Sequence, residues 1–436
     1  MVNKYVDIVI IGSGISGLYS AYLISKYFPK LSFIVLEKYK KKWIGGRMGN
    51  EDFHGTCIVK GAGIGRKKKD KLLLHLLNEL KIKSNEFLVS QQYSKNIIPL
   101  NIANTISFLK EKYTSQKKPI TFRQFAIHHL GYETYHQFVS TIGYSDYEEE
   151  DAYDTLYNYG MEDNYKNFTA FALNWSDLIL SLANKIGMNN IHFSCNVTSI
   201  QKIKESPCEF IVNINEDKNT DKMNNDKNTD KVNDAKNYIC NKIIIATNIN
   251  TVQKLLIPYN KNLSILYNQI HGQPFLRVYG KFSRSSIPIL KEYVNTFTIV
   301  SPPLQKIIPI DINKGIYMIS YSDNNSAILL NKYKENTEKN RDFFCFLIEK
   351  SLGIPLHSLK LITMKDYYWP IGTHYYEPLH GPFKDRSDFI EKAQHPDNGI
   401  IVVGEAISKN QGWTEGALDS VKQVLTKIWI QKDICN

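Results

Sequence analysis

Four residues near the start of the chain have the types and spacing to do chemistry. They are Gly12, Gly14 and Gly17, in the loop Gly-Ser-Gly-Ile-Ser-Gly, and Glu37, which lies 25 positions beyond Gly12. Gly12 permits a tight turn, Gly14 lets backbone approach a pyrophosphate, and Gly17 lets the next helix pack close on the preceding strand. That helix turns unpaired N–H groups and a positive dipole end toward phosphate. An acidic residue about 20 positions on accepts hydrogen bonds from a ribose, and Glu37 closes the next apolar run, where the ribose would lie. The set reads as a dinucleotide site that suits NAD and FAD equally.

The elements that must position these residues are legible around them. Val6 to Ile11, interrupted only by Asp7, reads as a strand buried on both faces, as a parallel sheet requires. Ile15, Leu18, Ala21 and Tyr22 recur at helical spacing until Pro29 stops the pattern, and Phe33 to Leu36 is a second strand. The expected fold class is therefore α/β, with a Rossmann-like dinucleotide-binding domain.

At 436 residues the chain is long enough for two domains, and 43% hydrophobic with 22% charged residues is ordinary for a soluble globular protein. The net charge of +11 and pI near 9.0 come from lysine spread among Asn, Ile and Tyr. That bias is expected of an AT-rich coding sequence, of the kind seen in large DNA viruses and some protists. The dense basic clusters, 38–42 and 66–71, have no nucleic-acid module around them, so no specific nucleic-acid partner is expected. Six scattered cysteines without C-x-x-C spacing indicate neither a metal site nor a disulfide framework and fit a reducing, cytoplasmic setting. No run of ~20 apolar residues suggests a transmembrane anchor.

Further motifs follow: Gly45-Gly46-Arg47, Gly61-Ala-Gly63-Ile64, Gly404-Glu405, and Gly412-Trp413-Thr414-Glu-Gly-Ala417 near the end. Together they resemble the flavin-containing amine oxidase family, which includes monoamine, polyamine and L-amino-acid oxidases. The resemblance implies FAD held by Gly12, Gly14, Ser16, Gly17, Glu37, Gly45, Gly46, Arg47, Gly61, Gly63, Ile64, Val197, Gly404, Glu405, Gly412, Trp413, Thr414 and Ala417. Arg47 would bond the pyrophosphate, Val197 would meet the adenine end, and Glu405 would anchor the ribityl chain. A helix starting at Thr414 would aim its dipole at the flavin N1/C2 edge. Some members carry a cysteine that bonds the flavin; Thr373 stands there, which implies noncovalent FAD.

The same resemblance makes Trp413 one wall of an aromatic cage, with Trp369, His374 or Tyr375 as the other. It also puts Arg277, in Arg-Val-Tyr-Gly-Lys-Phe, where the family carries a lysine above flavin N5. Arginine stays charged, so it could hold water or a carboxylate but could not shuttle a proton. The implied reaction is oxidation of an amine or amino acid by hydride transfer to flavin, with O2 reoxidising it to give peroxide. Its rivals are desaturase or isomerase chemistry on an apolar substrate, and a flavin-stabilised binding or structural protein. Homo-oligomerisation stays open.

The expected division is 1–70, 187–250 and 396–436 for the dinucleotide domain, and 71–186 and 251–395 for an interleaved substrate domain of mixed sheet and helices. Residues 70–185 read mostly helical, with helices at 71–80, 102–113, 122–130 and 175–186. Residues 251–395 read as short strands with one helix near 342–351. The repeat-containing Asn/Asp/Lys tract at 215–237 is too polar to offset its ordering entropy and reads as a disordered insertion. The acidic, tyrosine-rich patch 143–154 reads as a solvated helix face, with steering of a cationic ligand as the second possibility.

Overall fold

The computed structural model describes residues 3–115, 118–205, 209–216 and 237–431. Most of the Asn/Asp/Lys tract, 217–236, lies outside the described residues; its flanks are strand, ending at Glu216 and resuming at Asn237.

The first sheet has seven strands. Its parallel centre runs, in spatial order, Ile191–His192, Phe33–Leu36, Asn3–Ile11, Asn237–Ile245 and Ile400–Val402. The near-continuous isoleucine and valine runs make sense there because both faces are covered, and Ile8, Val9, Ile243, Ile244 and Ile245 are fully buried. Helices Ile15–Tyr27, Trp175–Ile186 and Thr414–Val424 cover one face. Helices Ile249–Tyr259 and Arg386–Gln394 cover the other. The antiparallel hairpin Cys195–Lys204 and Glu209–Glu216 extends one edge.

The second sheet has six strands, in the order Leu361–Tyr376, Ile270–Phe282, Ile316–Asp323, Lys306–Asp311, Phe297–Ile299 and Gln91–Tyr93. Its pairs are antiparallel except the last. Helix Glu338–Leu352 packs on this sheet, while helices Ile102–Tyr113, Phe122–Leu130, Tyr132–Ile142 and Ala152–Tyr157 form a separate aromatic-rich cluster. The α/β class, a Rossmann-like sheet beside a mixed sheet with helices, is the architecture observed.

The four expected helices fall at Lys71–Leu80, Ile102–Tyr113, Phe122–Leu130 and Trp175–Ile186, because each carries a strong apolar stripe. Three expectations need correction. Residues 70–185 also contain strands Ser84–Val89 and Phe168–Leu173, the first too exposed to show a period-2 apolar pattern. Residues 251–395 hold more than one helix: Ser286–Tyr293, Asn324–Leu330 and Arg386–Gln394 join the expected one, here Glu338–Leu352. The strand Leu361–Tyr376 runs unbroken through Pro370 and Gly372, because a register shift between Gln273 and Phe275 absorbs the missing N–H.

The acidic patch is the third correction. Residues 143–151 are turns, not a solvated helix face, and Tyr147, Glu150, Asp151 and Asp154 are buried. Partners explain it: Arg386 pairs with Asp154, Thr155 donates to Glu150, and Arg123 pairs with Glu148 and Glu149.

The nucleotide loop gives a clean test. A Cβ on Gly17 would stand 2.0 Å from the Gly12 carbonyl oxygen, whereas one on Gly14 would meet nothing within 4 Å. Gly17→Ala should therefore cost about 1–3 kcal/mol of stability in chemical denaturation. Gly14→Ala should leave the ligand-free protein within about 0.5 kcal/mol of wild type. It should nonetheless lower the bound dinucleotide content, because the methyl fills space a phosphate needs.

Candidate active site

A cavity of about 960 Å³ lies where the two sheets meet, at the upper end of small-molecule sites. Of the residues singled out in the sequence, all but Gly17 line it. Gly17 works one layer back, against Gly12, which turns with φ +104°.

The dinucleotide half is built from backbone. Helix Ile15–Tyr27 begins after Gly14 with no side-chain cap, and helix Thr414–Val424 begins after Trp413 with none. The two N-termini stand side by side, tied by Ser16 Oγ donating to the Ala417 carbonyl at 3.3 Å. Open N–H groups at both favour an anion. The Gly45 N–H donates to the Ser13 carbonyl at 3.0 Å, joining the two glycine loops. A Cβ on Gly46 would meet nothing, so this loop too leaves room for a ligand. This pair of glycine cradles beneath two uncapped helices fits a pyrophosphate-bearing dinucleotide. Glu37 is buried at the end of its strand, and its carboxylate accepts from Ser13 N at 2.8 Å, Ser13 Oγ at 2.6 Å and Tyr39 N at 2.9 Å. These bonds fix its orientation on the cavity wall.

A buried carboxylate knits the centre. Glu405 Oε1 accepts from Arg47 Nη1 at 2.6 Å and from His374 Nδ1 at 2.5 Å, and Oε2 accepts from Gly412 N at 3.0 Å. Burial would raise this carboxyl, but His374 and Arg47 outweigh it and hold it well below the usual range. Three of its roughly four acceptor sites are occupied, so Glu405 organises its neighbours more than it offers a free oxygen to a ribityl chain. Arg47 also donates to the Gly372 carbonyl at 2.7 Å.

His374 is not a cage wall. Its side chain is fully buried, Nε2 accepts from Ile249 N at 3.2 Å, and the ring proton on Nδ1 goes to Glu405. Alternation along the strand separates it from Thr373 and Tyr375. Trp369 and Tyr375 remain on the cavity surface: Trp369 Nε1 donates to the Lys60 carbonyl at 2.9 Å, and Tyr375 packs on His271. Trp413 carries a guanidinium on its ring, with Arg66 Cζ 3.6 Å from the centroid. Arg66 is itself buried between Asp70 and Asp163, so this part of the basic cluster is internal.

The chamber beyond is lined by charge on aromatic faces. Arg277 is 6% exposed; its nitrogens would lie 3.2–3.3 Å from a Cβ on Gly63, and its Cζ is 4.4 Å from the Tyr321 centroid. Tyr321 meets Tyr144 edge to face at 5.5 Å, and Lys306 Nζ lies 3.2 Å from the Tyr144 centroid. Burial pushes Lys306 down to about 7, with Asp323 and Asp146 pulling it back up. Asp146 is pushed up, first by burial and then by Asp323. Tyr144 and Asp146 belong to the acidic, tyrosine-rich patch singled out in the sequence, whereas Tyr321 and Lys306 carry no motif and only the cross-strand register of Arg277 and Tyr321 could have hinted at them.

Among the described residues no cluster of His, Cys, Asp or Glu suits a metal ion, and no helix is long and apolar enough to cross a membrane. Cys57, Cys240 and Cys345 are free thiols.

The fold is a Rossmann-like sheet joined to a second, mixed sheet, with the cavity between them. Comparisons agree: residues 10–80 match the NAD(P)-binding Rossmann-like domain. Among solved structures, three variants of putrescine oxidase, made in a structure-based redesign of its cofactor binding, share the fold. Their TM-scores are 0.73, 0.70 and 0.71 at 12%, 13% and 12% identity, each covering 97% of this chain and 98% of its own. No curated protein matches the sequence.

Two outcomes follow from the buried charges. Glu405→Gln strips the counter-charge from Arg47 and should lower stability by roughly 3–5 kcal/mol in urea denaturation. Lys306 binds its proton less tightly folded than unfolded, so between about pH 7 and its ordinary 10.5 the unfolded chain holds more protons and stability rises with pH. The Lys306→Met variant should be more stable than wild type near neutrality, and melting curves should show that gap closing as pH rises toward about 10.

Proposed function

We propose that this protein is an FAD-dependent oxidoreductase that oxidises a C–N bond of an amine or amino acid, with O2 as the final acceptor and peroxide as product. What supports it above all is one cavity that joins the paired glycine loops and the Trp413–Thr414 helix start to an enclosed chamber, within a fold shared along its length with putrescine oxidase. When bound, FAD supplies the hydride acceptor and the centre that reacts with O2.

The chain's own residues supply the rest. Gly14 and Gly46 admit the pyrophosphate, Arg47 adds positive charge beside it, and Glu37 sets the ribose end. The uncapped N-terminus at Thr414 would offer N–H dipoles to the negative charge that flavin gains on reduction. Trp413, Trp369 and Tyr375 orient the substrate, and the second sheet excludes water. Thr373, in place of a cysteine, supports noncovalent attachment. The two-domain division, 1–70 with 187–250 and 396–436 against 71–186 with 251–395, belongs to the same reading.

A visible spectrum of purified protein should show flavin, released on denaturation. Anaerobic mixing with a panel of amines and amino acids should bleach it, and air should restore the colour with peroxide. A coloured protein that no amine bleaches would sink the proposal.

A further inference from the structure

Arg277 is a buried charge without a carboxylate: among the described residues no acidic oxygen lies within 4 Å of its guanidinium, and its polar neighbours are the hydroxyls of Tyr279 and Tyr321. The Tyr279 hydroxyl already donates to the Val59 carbonyl at 2.8 Å, so it can only accept from Arg277. A buried unpaired cation is costly unless a ligand completes it. Lys306 repeats the pattern. It is 6% exposed, faces the same cavity, and no acidic oxygen lies within 4 Å of Nζ among the described residues.

The nearby carboxylates are engaged elsewhere. Asp323 accepts from Ser145 N, Ser145 Oγ, Asp146 N and Gln305 Nε2, which fills its acceptor sites. Asp146 accepts from Tyr159 at 2.6 Å, Glu150 from Thr155 at 2.8 Å, and Asp154 pairs with Arg386. Burial pushes Asp146 and Glu150 toward their neutral forms. Arg277, and Lys306 when it takes up a proton, therefore face the chamber with no acidic oxygen within 4 Å among the described residues.

Building on the amine-oxidising reading, we propose that Arg277 binds a carboxylate of the substrate, with Lys306 as a second positive pole behind the Tyr321–Tyr144 pair, so that the enzyme acts on amines that carry a carboxylate. Arginine's planar fork grips a carboxylate through two hydrogen bonds, which a lysine could not do. The Arg277 guanidinium rests on the Tyr321 ring and the Lys306 amine on the Tyr144 ring. Lys306 is faced by Tyr144 and Asp146 from one loop and by Asp323 from the neighbouring strand; an arriving anion adds negative charge, and Lys306 takes up a proton in response.

The test uses flavin-loaded protein with benzoate as the carboxylate probe and benzylamine as its cationic counterpart. Benzoate should perturb the flavin spectrum and outbind benzylamine. Calorimetry near pH 8 in buffers of different ionisation heat should show net proton uptake. Arg277→Met should weaken benzoate roughly 100-fold, while Arg277→Lys should recover part of the loss. Lys306→Met should still bind benzoate but without proton uptake. Benzoate binding that is absent, or unchanged in Arg277→Met, overturns the proposal. Loss of flavin colour changes in Arg277→Met without any benzoate effect would assign the guanidinium to the dinucleotide and also overturn it. Absent proton uptake in wild type removes Lys306 from the subsite. Protein that carries no flavin refutes the oxidoreductase reading itself, which is a separate failure.

Discussion

The arrangement of the cavity depends on one buried carboxylate. Glu405 gathers Arg47 from the second glycine loop, His374 from the longest strand of the second sheet, and Gly412 from the turn before the final helix. Each partner comes from a different part of the chain, and none would be placed by local propensity alone. In a low-dielectric interior a carboxylate with one partner would be too costly, while one with three is strongly favoured in its charged form. His374 passes the constraint on by accepting the first N–H of helix Ile249–Tyr259. The position of Trp413 and the open N-terminus after it therefore follow from a hydrogen-bond junction between the two sheets.

Legibility in the sequence followed how local the physics is. The glycine loop could be read because turn, phosphate approach and helix packing all act within six residues, and the parallel strands because burial on both faces demands unbroken apolar runs. Strand Ser84–Val89 escaped because its side chains are mostly outside the core. His374 was legible as a residue of interest but not in its role: chain order gives its place beside Trp369 and Tyr375, and pleating decides which side of the strand it serves. Lys306, Tyr144 and Tyr321 come from three separate segments that only sheet register and a loop bring together, so no spacing announces them.

The acidic stretch 143–154 shows the same limit from the opposite side. Six acids and tyrosines in a row, Asp146 to Asp151, look solvated because composition says nothing about partners. Folded, the run turns inward where Arg123, Arg386, Thr155 and Tyr159 satisfy it one group at a time. A polar segment can be interior when its partners come from elsewhere in the chain.

The two halves of the cavity carry the same sign of field by different means. At the dinucleotide end it comes from N–H groups at two helix starts, partial charges that no change of pH removes. At the chamber end it comes from side chains, one permanently charged and one poised near neutrality, both resting on tyrosine rings. The field at that end is therefore set by backbone dipoles, and the neighbouring Glu405 keeps its charge because its carboxyl is held well below the usual range. In the chamber, Lys306 and Asp146 are both shifted toward neutrality by burial.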